Sequence, residues 1–357
     1  MSTLQELIRY CNKDQHQGAI LLTGEWGCGK TYLIEKELEE ALSETHYIVR
    51  LSLFGVDSID ALKDAVRKEW LFVCTPLLGK VNEHRDQMKR SNFINAINSI
   101  LKTLNPVAGN FASAVVAVNP LEYIPLEPEV EDVHAGVKKK VVLVFDDMDR
   151  CKLDWIEVVG CINGYCENIG FKTIIIANEA ALNLTEENIA AYRIIKEKTI
   201  SRTVLYVPDF REIIHSIVSE DGWPSQEYAD YLAEKEQKIH DIFASDPPKR
   251  TDRLAKYHNI RSLMCALNEF YRIYEIMTEE QISDIDRTFY SFVVYMIVSK
   301  SGIVKNGAAC FDVSEEDIIR LYPDYSSDAM PESIRQWIEY GVWEEDAIRK
   351  DLCRRGE

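Results

Sequence analysis

Short apolar runs alternate with helical stretches through the first part of the chain. Ala19-Ile20-Leu21-Leu22 forms an uninterrupted apolar run that predicts a buried strand over Gln17–Thr23, closed by a glycine-rich turn. Lys30–Ala41 has helical composition, with Leu33, Ile34 and Leu38 on one face. His46–Phe54 alternates and predicts a second strand, and Asp57–Trp70 predicts a helix opened by Asp57 or Ser58 as N-cap. Val141–Phe145 and Ile174–Ala177 are all apolar and predict buried strands, separated by a helix over Trp155–Asn168. Glu186–Ser201 is helix-like, and Thr203–Val207 reads as a fifth strand ended by Pro208. Strands followed by helices predict an α/β fold with a mostly parallel sheet.

Between Leu71 and Gly136 the pattern loosens. Asn92–Leu104 predicts an amphipathic helix, and Leu121–Gly136, with two prolines and five acidic residues, predicts an exposed loop. Past Pro208 no strand pattern is clear, and the periodicity predicts helices interrupted at Trp223-Pro224 and Pro247-Pro248. The expected division is therefore a core over 1–208 with an insertion at about 71–136, a helical lid over 209–275 and a C-terminal helical region over 276–357.

Composition narrows the function classes. The formal net charge of −18 disfavours broad non-specific nucleic-acid binding, because most of the surface repels polyphosphate. Met1–Tyr10 has no signal-peptide character, and the longest apolar run near the C-terminus, Thr288–Ser299, is too short to span a bilayer and reads as a buried helix. The nine cysteines contain no C-x-x-C pair, which fits free thiols in a reducing compartment. A soluble, cytoplasmic protein is the expectation.

The chemistry concentrates in one string. Gly24-Glu25-Trp26-Gly27-Cys28-Gly29-Lys30-Thr31 matches G-x-x-x-x-G-K-[ST] at every fixed position. Glycines let backbone N–H groups turn inward around phosphate oxygens, and the helix that follows offers free N–H groups and the positive end of its dipole to the same anion. Lys30 then reaches the β- and γ-phosphates, and Thr31 supplies a hydroxyl to Mg²⁺. Tyr32 continues this nucleotide-binding stretch, and Cys28 sits inside it, where the dipole lowers a thiol's pKa. The string follows an apolar strand and opens a helix, as a phosphate-binding loop requires.

Val141–Phe145 runs into Asp146-Asp147, and ligands of open α/β sheets gather at the carboxyl ends of strands. Asp146 is the candidate Mg²⁺ ligand and Asp147 the candidate base that polarises the attacking water. Asn178, at the end of Ile174–Ala177, is a candidate to orient that water or touch the γ-phosphate. Asn259 caps an amphipathic helix, from which Arg261 could project back to the nucleotide. Arg150 and Arg202 are further candidates for a charge-stabilising arginine. The stretch from Lys30 to Asp146 far exceeds the roughly 60 residues that two strand-helix-strand steps need, so an insertion is expected between them. No [NT]-K-x-D string follows the core strands, which disfavours a GTPase.

Together these residues resemble the KAP family of P-loop NTPases. The resemblance rests on Gly24–Thr31, on Ser52-Leu53-Phe54-Gly55, on Asp146-Asp147-Met148-Asp149-Arg150, and more weakly on Glu197-Lys198 and Asn259-Ile260-Arg261, over about residues 1–275. It implies an additional-strand P-loop core and a helical lid, with Asp146 on Mg²⁺, Asp147 as base and Asn178 as sensor. Many family members insert transmembrane helices between the two nucleotide motifs; this chain has an insertion there without a convincing span. Bacterial members are often linked to defence against phage or mobile elements. The expected function is ATP-Mg²⁺ binding and hydrolysis that drives a conformational switch or an assembly step. The expected partners are nucleotide, further copies of the chain and an unidentified protein. The alternatives are a non-hydrolysing ATP-gated scaffold that controls a partner protein, and a small-molecule kinase.

Overall fold

A computed structural model describes residues 2–14, 18–74, 121, 124–132, 136–182, 186–220, 222–243 and 254–356. The amphipathic helix expected at Asn92–Leu104 lies outside these residues. The chain divides into two compact units: Met1–Glu25 with Lys30–Val207, and Trp26–Gly29 with Pro208–Glu357.

The first unit is built on a six-stranded sheet. Its strands are β1 (Ala19–Thr23), β2 (His46–Ser52), β3 (Glu129–Asp132), β4 (Val137–Asp146), β5 (Lys172–Ala177) and β6 (Ile200–Leu205). The order is β2-β4-β5-β1-β6, all parallel, with β3 antiparallel against β4. β5 therefore stands between the strand that leads into the glycine-rich loop and the strand that ends in the two acids, the additional-strand arrangement that the resemblance implies. Parallel strands need helical crossovers, which cover both faces and account for near-continuous apolar strands. Leu21, Leu143, Phe145 and Ile175 bury one face under two helices: α3 (Ile59–Cys74) and α4 (Trp155–Asn163). Ile20, Leu22, Val142, Val144, Ile174 and Ile176 are buried on the other.

Two local features depart from expectation. Leu121–Gly136 is not all loop, because Glu129–Asp132 pairs as β3. The physical reason is charge across the ladder: Glu129 stands opposite Lys140 and Glu131 opposite Lys138, while Asp132 pairs with Lys139 at 3.0 Å. The helix after the loop, α2, is regular only at its ends, Lys30–Tyr32 and Glu39–Leu42; between them Leu33–Leu38 widens into a π-helix.

The N-terminal helix α1 (Thr3–Asn12) is tied to the sheet by one phenol. The Tyr10 hydroxyl lies 2.8 Å from the Gly18 carbonyl and 3.1 Å from that of Thr173, and accepts from the Thr173 N–H at 3.0 Å.

The second unit is mostly helical, as expected, and its core runs from Ile213 to Leu352. The run Thr288–Ser299 lies inside the buried helix Ile285–Ser301, and no helix among the described residues is long and apolar enough to cross a membrane. The lid expected over 209–275 is not all helix, because β7 (Leu254–Lys256) pairs antiparallel with β8 (Ile303–Lys305), and β8 with β9 (Ala308–Cys310). The missed signal was Asn306-Gly307. Both residues have positive φ (52° and 84°), the requirement of a tight hairpin turn, and Asn-Gly meets it at low steric cost. Gly302, where the Ile285–Ser301 helix gives way to β8, has φ 69°, and a Cβ there would stand 2.0 Å from the Cys310 carbonyl oxygen.

Two substitutions test these locks. Tyr10→Phe leaves a buried N–H without its partner and should lower stability by about 1–3 kcal/mol, read by urea denaturation. Gly302→Ala should cost about 2 kcal/mol or more, because left-handed strain and a backbone clash add. An unchanged urea midpoint would contradict either account.

Candidate functional site

The carboxyl ends of β1, β2, β4 and β5 bring most of the sequence-selected residues of the first unit together. β1 ends at Thr23, so Gly24 and Glu25 continue directly from the sheet. Lys30 and Thr31 open α2. The Lys30 amine is buried and donates to the Gly24 and Glu25 carbonyls, each at 2.7 Å. An ammonium carries three donors, and two of them are spent here on the loop's own backbone.

Thr31 meets the acid strand. Its hydroxyl donates to Asp146 Oδ2 at 2.9 Å. Asp146 is 3% exposed, so its charge needs local compensation. The Asp147 N–H donates to Oδ1 at 2.8 Å, and Arg50 Nη1 donates to Oδ2 at 3.1 Å. Burial pushes the Asp146 carboxyl above the usual carboxylate range; the neighbouring Asp147 pushes the same way, while the Thr31 hydroxyl, the Asp147 N–H and Arg50 oppose it.

Asp147 follows the strand in a left-handed conformation, φ 55° and ψ 34°. Asp tolerates that region better than most residues. The turn brings its Oδ2 to the Ser52 hydroxyl at 2.7 Å. Arg150 approaches the other oxygen at 4.0 Å. Asn178 is held through its backbone, with its N–H donating to Asp149 Oδ1 at 2.8 Å, while the next N–H, of Glu179, donates to Thr23 Oγ1 at 3.1 Å. Asn178 thus stands at a corner braced by both neighbouring strands. Arg202 is engaged by Glu6 instead, on the exposed side of β6.

The remaining loop residues, Trp26, Gly27, Cys28 and Gly29, group with the second unit. Gly27 and Gly29 have φ of 71° and 100°, which side chains disfavour. The Gly27 carbonyl accepts from the Ile260 N–H at 2.9 Å, and a Cβ on Gly27 would meet Asn259 at 2.5 Å. Asn259 caps the helix as expected, accepting from the Arg261 and Ser262 N–H groups. Arg261 is exposed in the first turn of that helix.

Sequence reasoning passed over Arg50, Ser52 as an individual residue, and Glu35. Arg50 and Ser52 lie two apart on β2 and so share a face, in register with Val144 and Asp146 of β4. A charged residue following the apolar pair Ile48-Val49, two positions before the strand's end, was the available signal. Glu35 pairs with Arg50 from the π-helical turn, a contact invisible to sequence periodicity.

Thr31 and Asp146 present hard oxygen atoms 2.9 Å apart, a donor set that suits Mg²⁺. Residues 1–294 match the KAP family P-loop domain. Among solved structures, the crystal structure of Cdc6p from Pyrobaculum aerophilum is similar, with a TM-score of 0.43 and 16% identity, over 99% of this chain and 85% of that one. No curated protein matches the chain. A family match over residues 1–294, on a parallel sheet whose first strand leads into a glycine-rich loop, means that this chain belongs to the KAP family of P-loop domains.

Proposed function

We propose that this chain binds ATP-Mg²⁺ and hydrolyses it, and that hydrolysis drives a conformational switch or an assembly step. The observation that carries the reading is the bond from the Thr31 hydroxyl to the buried Asp146 carboxylate, at the carboxyl end of the sheet, where Lys30 also opens α2. The meeting of the glycine-rich loop and the acid strand supports the reading, since it would set oxygen donors for a metal beside an ammonium for phosphate.

In this reading the backbone of Gly24–Tyr32 cradles the phosphates, and Lys30 exchanges its carbonyl partners for phosphate oxygens. Thr31 and Asp146 would hold Mg²⁺, which supplies charge neutralisation to the phosphate chain. Asp147 orients and deprotonates the attacking water, and Asn178 contributes a side-chain amide beside it. Arg261 enters from its place in the first turn of the helix that Asn259 caps, and a role in defence on the sequence resemblance alone. Further copies of the chain, and a protein partner, would be what the switch acts on.

A second reading, the ATP-gated scaffold that does not hydrolyse, draws on one contact. The Ser52 hydroxyl occupies Asp147 Oδ2, and a carboxylate so engaged is a weaker acceptor for a water proton.

Phosphate release from ATP by the purified chain separates the two. Lys30→Ala and Asp147→Asn should each lower turnover by about 100-fold or more. Asp147→Asn should retain ATP binding, seen as protection against thermal unfolding, while Lys30→Ala should lose it. Wild-type protein that is protected by ATP but releases no phosphate would sink the hydrolysis reading. Ser52→Ala adds a direction: if Ser52 orients the base, turnover should fall by about tenfold with little change in KM. A rise in turnover would mean that Ser52 restrains Asp147 instead.

A further inference from the structure

Arg50 touches the buried member of the acid pair, and it touches a second acid at the same time. Its Nη1 donates to Asp146 Oδ2 at 3.1 Å, the oxygen that also accepts from Thr31. Its Nη2 pairs with Glu35, in the π-helical turn that begins two residues after Thr31. The two carboxylates differ in burial: the Asp146 side chain is 5% exposed, that of Glu35 44%, and that of Arg50, between them, 32%. A guanidinium carries five N–H donors in a rigid fork, so it can hold both acids and shift towards either without losing all pairing. A charge resting on Asp146 also cancels much of the potential that would draw a divalent ion there.

We propose that Arg50 is the resident counter-cation of Asp146. It neutralises the buried carboxylate before loading and passes to Glu35 when a metal-nucleotide complex takes its place. The inference rests on the reading of Thr31 and Asp146 as the metal side of the site. Its consequence is that the nucleotide-free protein binds divalent metal weakly at Asp146, so that metal enters with nucleotide. The strand β2 then acts on both acids, Arg50 on Asp146 and Ser52 on Asp147, from one face.

The test is titration of the nucleotide-free full chain with Mn²⁺, following free Mn²⁺ by electron paramagnetic resonance. Arg50→Gln should bind Mn²⁺ about fivefold or more tightly than wild type, and Asp146→Asn added to it should abolish the gain. Arg50→Lys, which keeps the charge, should stay near the wild-type value. Equal Mn²⁺ affinity in wild type and Arg50→Gln would overturn the proposal, as would a gain that survives Asp146→Asn. No nucleotide enters this titration, so a failure of ATP binding in the experiments above reads separately. Should Arg50→Gln not fold, Glu35→Gln at its more exposed position serves. With the receiving carboxylate gone, the Mg²⁺ concentration for half-maximal thermal protection by ATP should rise about threefold or more. An unchanged Mg²⁺ requirement would count against the handover.

Discussion

A carboxylate that is 3% exposed at the end of an apolar strand must be compensated by its surroundings, and the site is organised around that requirement at Asp146. Leaving an ionised group unpaired in such a place costs several kcal/mol, more than most single contacts return. Three donors from three places answer it: the Thr31 hydroxyl from the start of α2, the Arg50 guanidinium from β2 and the Asp147 N–H from the turn beyond β4. Each donor fixes the position of the element that carries it. The glycine-rich loop, the acid strand and its neighbour are thereby tied together at one buried charge.

The same logic explains the local irregularities nearby. A left-handed Asp147 lets its N–H turn back onto Asp146 while its own side chain reaches Ser52. The π-helical turn of α2 places Glu35 against Arg50 while Thr31, one turn earlier, stays on Asp146. Departures from regular geometry in a well-packed domain tend to sit where function outweighs local preference, and both of these lie within the acid network.

The second unit follows a different economy of structure. Its core is a continuous cluster of aliphatic and aromatic side chains from Ile213 to Leu352, and its helices are stabilised by apolar faces more than by propensity. The small β7-β8-β9 sheet is fastened at Asn306-Gly307 and at Gly302, two places where the backbone takes conformations that few residues accept. Asn-Gly between short apolar runs was legible as a hairpin signal; three-residue strands were too short to register as alternation.

The sequence by itself determined the α/β class and the positions of the five parallel strands to within a few residues, and it singled out the glycine-rich loop and the acid pair as candidates. It could do so because buried parallel strands must be apolar, and because a glycine-rich turn between strand and helix has few other uses. Only the tertiary structure decided which partner each group has. Parallel order β2-β4-β5-β1-β6 brings Arg50 onto Asp146 and Ser52 onto Asp147, both far from the acid pair in sequence, and charge pairing across β3 and β4 turns an acidic stretch into a strand. Periodicity reports which face of an element is buried. It carries no information about which distant charge will share that face, because that depends on strand order and register, which the whole chain sets at once.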